Sequence, residues 1–407
     1  KKYLGKHHIQ FVPGVNEDLA ATAVRGSQEV GLFPNAKYDG VFGMWYGKGP
    51  GVDRSGDALR HGNAYGTDPK GGVLVVAGDD HGCVSSSMPH QSDAVFLAWF
   101  MPVLNPASVE EYLTFGEYGF ALSRYSSTWV GFKAISETVE SGRSVELHDD
   151  RTFVYPERED YPGGIHIRRS DPPSTEIEVR MGAKLRAGEA FVEANPIDRT
   201  IYGLPDAPYG IVTTGKGHLD TLEALRLLGL DEAKCRALGI DIYKVGMVWP
   251  LEHHGALEFA QGKRELLVIE EKRGIIESQL KEYFYDFPGR KPERMVGKRD
   301  ETGARLVPDR TWARRTALVL LLLTVTWMKI GVVQDADLDR ARLAEINRRK
   351  AVHGDQRLGA RGVQRQFDCV AERHIDAPCP IGPRGGIQAL IAGNVIDLAA
   401  RGHGVGR

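Results

Sequence analysis

A single carboxylate ahead of a run of small residues is where this sequence could do chemistry. Residues 14–23 read Gly-Val-Asn-Glu-Asp-Leu-Ala-Ala-Thr-Ala and directly follow the short apolar stretch 9–13, Ile-Gln-Phe-Val-Pro. The pattern predicts a strand, a turn and then a helix with Glu17 at its start. Ordinary capping and complementation of the helix dipole would account for an acid there. A carboxyl group in a largely apolar crevice can also hydrogen-bond a ligand's ring nitrogen and relay a proton, because desolvation favours its protonated form. A second strand-then-loop unit begins at Gly72 and runs through Val-Leu-Val-Val-Ala-Gly into a polar loop ending near Asp93. Asp79, Asp80, His81, His90 and Gln91 crowd that loop more densely than a turn and an N-cap serine require. Open α/β sheets bind ligands at the carboxyl ends of their strands, and convergent polar groups mark such sites. Glu17 and the loop are therefore expected to share one crevice. No helical His-x-x-x-His pair or thiolate partner suggests a metal site there.

Other glycine-rich stretches do not read as phosphate loops. Residues 43–57 contain neither G-x-x-x-x-G-K-[ST] nor G-x-G-x-x-G after a strand, so their glycines are expected to let the backbone pass close to a ligand or a second chain. Thr213-Thr214-Gly215-Lys216-Gly217 is no Walker motif either, and Lys216 is expected in solvent. Nothing identifies a base for a Cys83 thiolate.

The elements that must position these residues alternate strand and helix. Residues 73–77, 101–104 and 128–134 read as strands, with helices predicted over 92–100 and 108–122, the latter capped by Ser108. A second unit follows, with strands at 211–214, 242–248 and 265–270 and helices at 219–228 and 274–285. This alternation predicts an α/β chain of two parallel-sheet domains. Residues 1–144 form the first and 208–308 the second. The polar, proline-rich stretch 145–207 is expected to be a linker or extended insertion. After 309 arginine becomes frequent and periodicity fades, so 309–407 is expected to be an irregular tail without a compact core, either solvated and disordered or an out-of-frame translation.

Composition bounds the remaining classes. The chain has 407 residues, 42% hydrophobic and 26% charged, as in a globular protein. A net charge of −2 gives no electrostatic case for nucleic acid or an anionic membrane. The apolar run 317–328 falls short of the roughly 20 residues a spanning helix needs. Four scattered cysteines form no Cys-x-x-Cys pair, which excludes a local zinc knuckle and fits a reducing cytoplasm. The chain opens without methionine, which suggests a piece of something longer.

Several stretches together resemble the indolepyruvate ferredoxin oxidoreductase family, in its bacterial form with the subunits fused. They are residues 10–28 (QFVPGVNEDLAATAVRGSQ), 38–57 (YDGVFGMWYGKGPGVDRSGD), 71–93, 211–220 (IVTTGKGHLD), 248–252 (VWPLE), 268–279 (VIEEKRGIIESQ) and 296–300 (VGKRD). The resemblance runs from about 9 to 307. It implies that the first domain is a thiamine-diphosphate pyrimidine-binding domain and the second a transketolase C-terminal-like domain. Glu17 would then activate the cofactor through its aminopyrimidine, with Asp79, Asp80, His81, His90 and Gln91 on the substrate side. The intact enzyme would decarboxylate an aryl or branched 2-oxo acid to an acyl-CoA and reduce ferredoxin, as a homodimer, using thiamine diphosphate, Mg2+ and 4Fe–4S clusters. A preceding strand–helix unit, the diphosphate-binding domain and the cluster cysteines have no counterpart in these residues. The resemblance therefore implies a fragment, inactive alone. A transketolase-type carbon–carbon ligase and a non-catalytic docking module are the alternatives.

Overall fold

The first sheet is built where buried β-branched runs leave no polar face. In the computed structural model, residues 4–147, 151–169, 171 and 174–306 are described, together with the backbone of 388–393. Its first half contains strands β1 (Ile9–Pro13), β2 (Val41–Lys48), β3 (Gly72–Gly78), β4 (Val103–Leu104) and β5 (Val130–Lys133). Around them lie helices α1 (Glu17–Gln28), α2 (Gly49–Arg54), α3 (Gly56–Tyr65), α4 (Asp93–Ala98), α5 (Val109–Ser126) and α6 (Ser136–Val139). Val73, Leu74 and Val75 are fully buried on both faces of β3, as expected of a central parallel strand. Ser108 caps α5 through the Glu111 backbone N–H.

The segment expected to be a linker is only partly one. Residues 151–169 are irregular, but α7 (Glu176–Ala194) is a 19-residue helix packed against α5. Phe191 and Val192 fill the core beside Tyr118 and Leu122. Charged residues on α7 also face inward. Arg180 forms a bidentate pair with Asp171 at 2.8 and 2.6 Å, and Lys184 donates to the carbonyls of Asn63 and Ala64. These inward charges hide the helix's buried stripe from a reading by hydrophobicity.

The second half contributes β6 (Arg199–Thr200), β7 (Tyr209–Thr214), β8 (Ile240–Val245), β9 (Met247–Trp249), β10 (Glu265–Ile269) and β11 (Arg294–Val296). Its helices are α8 (Gly215–Leu227), α9 (Glu232–Leu238), α10 (His253–Ala260) and α11 (Ile276–Tyr285). The five-stranded sheet has the order β11-β10-β7-β8-β6, parallel except for β6. The region predicted as one strand over 242–248 is two, because the chain turns at Gly246 and β9 leaves to pair antiparallel with β4 of the first sheet. The two sheets are thereby stitched together, and Asn105 adds bonds to Gly246 O and Thr214 Oγ1.

One piece of the tail departs from expectation. Gln388–Gly393 forms β12, inserted parallel between β1 and β2, so the first sheet has the order β1-β12-β2-β3-β5-β4-β9. A strand has no local signature when its partners lie hundreds of residues away, and glycines on both sides blur its ends. The apolar run 317–328 and the rest of the tail lie outside the described residues.

Candidate active site

Parallel pairing puts the carboxyl ends of β1, β2, β3 and β5 on one side of the first sheet. Glu17 stands there as the first residue of α1. The capping duty belongs to its neighbour, since Asn16 Oδ1 accepts the Leu19 backbone N–H at 2.9 Å. The Glu17 carboxylate is thus released from capping. Its backbone is anchored by the buried Trp45, whose indole N–H donates to Glu17 O at 3.1 Å. Arg54 Nε lies 3.8 Å from Glu17 Oε2 and 3.4 Å from Asp18 Oδ2. Val15 and Leu19 are exposed beside it. The glutamate carboxylate is therefore partly exposed and flanked by a guanidinium, in place of the largely apolar crevice expected for it.

Helix α2 connects Glu17 to the polar loop, and its glycines are the reason it can. A Cβ on Gly51 would stand 2.9 Å from Glu17 Cγ, and one on Gly49 would stand 2.0 Å from His90 Nδ1. The close approach expected of these glycines occurs, but to side chains of the same chain. His90 Nε2 bonds Asp53 of α2 at 2.8 Å, and Lys48 Nζ donates to Ser85 O at 2.8 Å. Glu17 and the loop thus both pack against α2, at the carboxyl ends of β1 and β3.

Each of the five loop residues has a definite place. Asp79 is buried and accepts from Ser92 N and Ser92 Oγ at 2.9 and 2.6 Å. Burial pushes its carboxyl upward, but His90, Lys133, His81 and Ser92 outweigh it and hold the pKa at about 2. Asp80 accepts from Val84 N and Ser85 N and so shapes the turn. Cys83, in a left-handed conformation, donates its thiol to Ser86 O. His81 is buried with Nδ1 3.2 Å from Glu271 Oε2 and Nε2 4.0 Å from Asp79 Oδ2. His90 Nδ1 is 3.7 Å from Asp79 Oδ1, and Asp79, opposed by partial burial but joined by Asp53, raises the imidazole pKa. Gln91 exchanges two hydrogen bonds with the Arg273 backbone.

The result is a row of alternating carboxylates and imidazoles, Asp53, His90, Asp79, His81 and Glu271, running from solvent into the seam between the sheets. Burial would raise the Glu271 carboxyl, yet His81, Lys216 and Lys133 bring it down to about 2. Lys133 pairs with Asp93 at 2.8 Å in the same seam. Asp53, Lys133 and Glu271 were not among the residues expected from sequence. Glu271 does lie in the matching stretch 268–279, while its distance of 190 positions from His81 left no local signal. Lys216, expected in solvent, pairs with Asp220 and is only a quarter exposed.

Comparison with known proteins agrees with the motif resemblance. Residues 199–348 match the family described as the indolepyruvate oxidoreductase domain. The match thus continues past 309. The indolepyruvate oxidoreductase subunit IorA of Pyrococcus abyssi is 25% identical over 222 residues, covering 53% of this chain and 33% of that protein. The subunit from Thermococcus kodakarensis is 25% identical over 271 residues, covering 62% and 38%. The chain thus spans little more than a third of the length of these relatives. A solved 2-oxoglutarate:ferredoxin oxidoreductase from Magnetococcus marinus superposes with a TM-score of 0.50 at 15% identity, over 73% of this chain and 55% of that one, which shows a shared fold. The chain is a relative of the indolepyruvate oxidoreductases.

Proposed function

We propose that this chain supplies the aminopyrimidine half of the active site in a thiamine-diphosphate-dependent 2-oxoacid:ferredoxin oxidoreductase of the indolepyruvate type. The reaction is oxidative decarboxylation of an aryl or branched 2-oxo acid to an acyl-CoA, with electrons passed to ferredoxin. The observation that carries the reading is the Glu17 carboxylate, free of capping duty at the carboxyl end of β1 and joined through α2 to the β3 loop. The residues fit an aminopyrimidine. A carboxyl free of capping can bond a ring nitrogen, and the exposed Val15 and Leu19 offer apolar surface to a flat ring. Among the described residues no group of three His, Cys, Asp or Glu is placed to hold a metal ion. The magnesium, the diphosphate and the 4Fe–4S clusters are assigned to further domains, and the working enzyme is a homodimer in this reading.

When bound, the cofactor supplies the carbon nucleophile and the electron sink. Glu17 holds and returns one proton at its carboxyl. The Asp53–His90–Asp79–His81–Glu271 row holds the loop through carboxylate–imidazole contacts, with the exposed Asp53 at its outer end and His90 next to it. His90 and Gln91 are the substrate-side residues in this reading, with Asp79, Asp80 and His81 holding them in place. No helix among the described residues is long and apolar enough to cross a membrane.

The test mixes the chain with a separately made diphosphate-binding and cluster-binding fragment and follows dye reduction with indolepyruvate and CoA. The mixture should be active and the lone chain nearly inactive, because contacts to an aminopyrimidine alone bind weakly. Robust oxidation by the lone chain would overturn the assignment, as would ketol transfer between sugars in place of dye reduction.

A further inference from the structure

A cavity of about 710 Å³ opens at the carboxyl ends of β4 and β7, with room for a small organic molecule. Its walls include the first two turns of α5, the start of α8 and the segment leading into β6. Strands β1 and β4 stand five places apart in the first sheet, about 24 Å at about 4.8 Å per spacing. A molecule here is therefore remote from Glu17.

His218 gives this cavity an acceptor. The residue is only 4% exposed, and its Nδ1 lies 3.0 Å from Thr213 Oγ1. Thr213 Oγ1 is also 3.3 Å from the Tyr243 carbonyl oxygen, which can only accept. Both contacts are hydrogen bonds when the hydroxyl donates to Tyr243 O and accepts from His218 Nδ1–H. Nε2 then carries a lone pair. It has no hydrogen-bond partner among the described residues yet keeps accessible surface, and His218 is part of the cavity wall. Burial, joined by Lys244 and Arg199 and opposed by Glu111, lowers the imidazole pKa to about 4, so the ring is neutral at pH 7.

Water would satisfy Nε2 but leave the apolar wall uncovered. Leu113 of α5 and Leu219 of α8 both line the cavity and are 50% and 42% exposed. The charges do not select an ion. Arg143 stands 3.9 Å from Glu110, and Glu111 is held by Lys244 at 2.6 Å and Arg199 at 3.5 Å. Asp198 is bound to the Gly246 and Met247 N–H groups, while Glu117, Glu146 and Arg151 are exposed and screened by water. A cation at Nε2 would have Lys244 and Arg199 as neighbours, and an anion would meet a lone pair.

We propose that this cavity binds a neutral phenol, its O–H donating to His218 Nε2 and its ring covering Leu113 and Leu219. An aromatic ring buries apolar area with little loss of rotamer freedom. A phenol O–H, with a pKa near 10, is a more acidic donor to an imidazole nitrogen than an aliphatic hydroxyl. The volume leaves room for substituents on the ring.

Isothermal titration calorimetry of the full chain with phenol tests this. Anisole, which keeps the ring and lacks the donor, and cyclohexanol, which keeps a hydroxyl and lacks the aromatic ring, are the controls. Phenol should bind with Kd on the order of 1 mM or tighter, and both controls at least about fivefold more weakly. Leu219→Asp, at an exposed position, should weaken phenol binding at least about fivefold. His218→Phe keeps a ring in place and removes the acceptor, so its preference for phenol over anisole should fall below about twofold. Leu19→Ser, beside Glu17, should leave phenol binding unchanged, which separates this cavity from the proposed cofactor site. No saturable phenol binding by the wild-type chain would overturn the proposal. So would equal binding of anisole or cyclohexanol, unchanged affinity in Leu219→Asp, a weakened Leu19→Ser, or an intact preference in His218→Phe. Thermal unfolding establishes that each variant is folded, and if His218→Phe is not, the wild-type controls and Leu219→Asp decide.

Discussion

Gly49→Ala tests whether the glycines of α2 exist to seat His90 against the crevice. Position 49 begins the helix with no positive backbone φ, so alanine costs nothing in conformation and gains up to about 1 kcal/mol in propensity. Its Cβ, however, would fall 2.0 Å from His90 Nδ1 and 2.1 Å from Cγ. The ring must retreat by about 1.4 Å to restore ordinary contact. That retreat breaks the 2.8 Å pair with Asp53 and disturbs the approach to Asp79. Overpacking of this kind costs about 1–3 kcal/mol, and the partly exposed ion pair adds at most about 1. Urea unfolding at pH 6 should show a lower midpoint with unchanged slope. His90→Ala removes the obstacle. The double variant should therefore lose about 1–3 kcal/mol less than the sum of the single losses. Additivity within about 0.5 kcal/mol would refute the steric reasoning. The gap between wild type and His90→Ala should also shrink as pH rises, because a histidine whose folded pKa is raised stabilises below its unfolded value, and that stabilisation is lost through the folded one.

Asp79→Asn should destabilise the chain by about 2 kcal/mol near neutral pH, since a carboxyl held at about 2 contributes stability above its unfolded value near 3.9 that is lost as pH falls toward 2. Thermal unfolding of wild type and variant at pH 7 and pH 3 checks this, and the gap should narrow at the lower pH. Asn16→Ala should cost about 1 kcal/mol in urea unfolding by removing the α1 cap, whereas Glu17→Ala should change stability by less than about 0.5 kcal/mol. Gly62→Ala would drive a Cβ to 2.4 Å from the buried Trp129 indole, and its unfolding free energy in urea should fall by about 1–3 kcal/mol.

What sequence could reveal followed the range of the interactions involved. The α/β class was legible because β3, β7 and β10 are buried on both faces and therefore carry apolar runs, at 73–77, 211–212 and 266–269. Ser108 and the spacing after it announced α5 locally. The place of Glu17 at the start of α1 was legible for the same reason, since strand, turn and carboxylate lie within a few residues. Helix α7 was not, because Arg180 and Lys184 look like solvent residues yet are satisfied internally by Asp171 and by carbonyls of Asn63 and Ala64. Strand β12 depends entirely on two partners remote in sequence. The loop's polar residues were found, but their coupling was not. His81 meets Glu271 only because the second sheet is stitched to the first through β9, which turns a crowd of polar groups into an ordered row.

The most direct test of Glu17 as the cofactor's activator is the rate of hydrogen–deuterium exchange at C2 of thiamine diphosphate, followed by NMR in the chain reconstituted with its diphosphate-binding fragment. The wild-type mixture should accelerate exchange over free cofactor, and Glu17→Gln should slow it by about 10²–10⁴-fold without loss of cofactor binding. Equal exchange rates in the two mixtures, both with cofactor bound, would contradict the role given to Glu17.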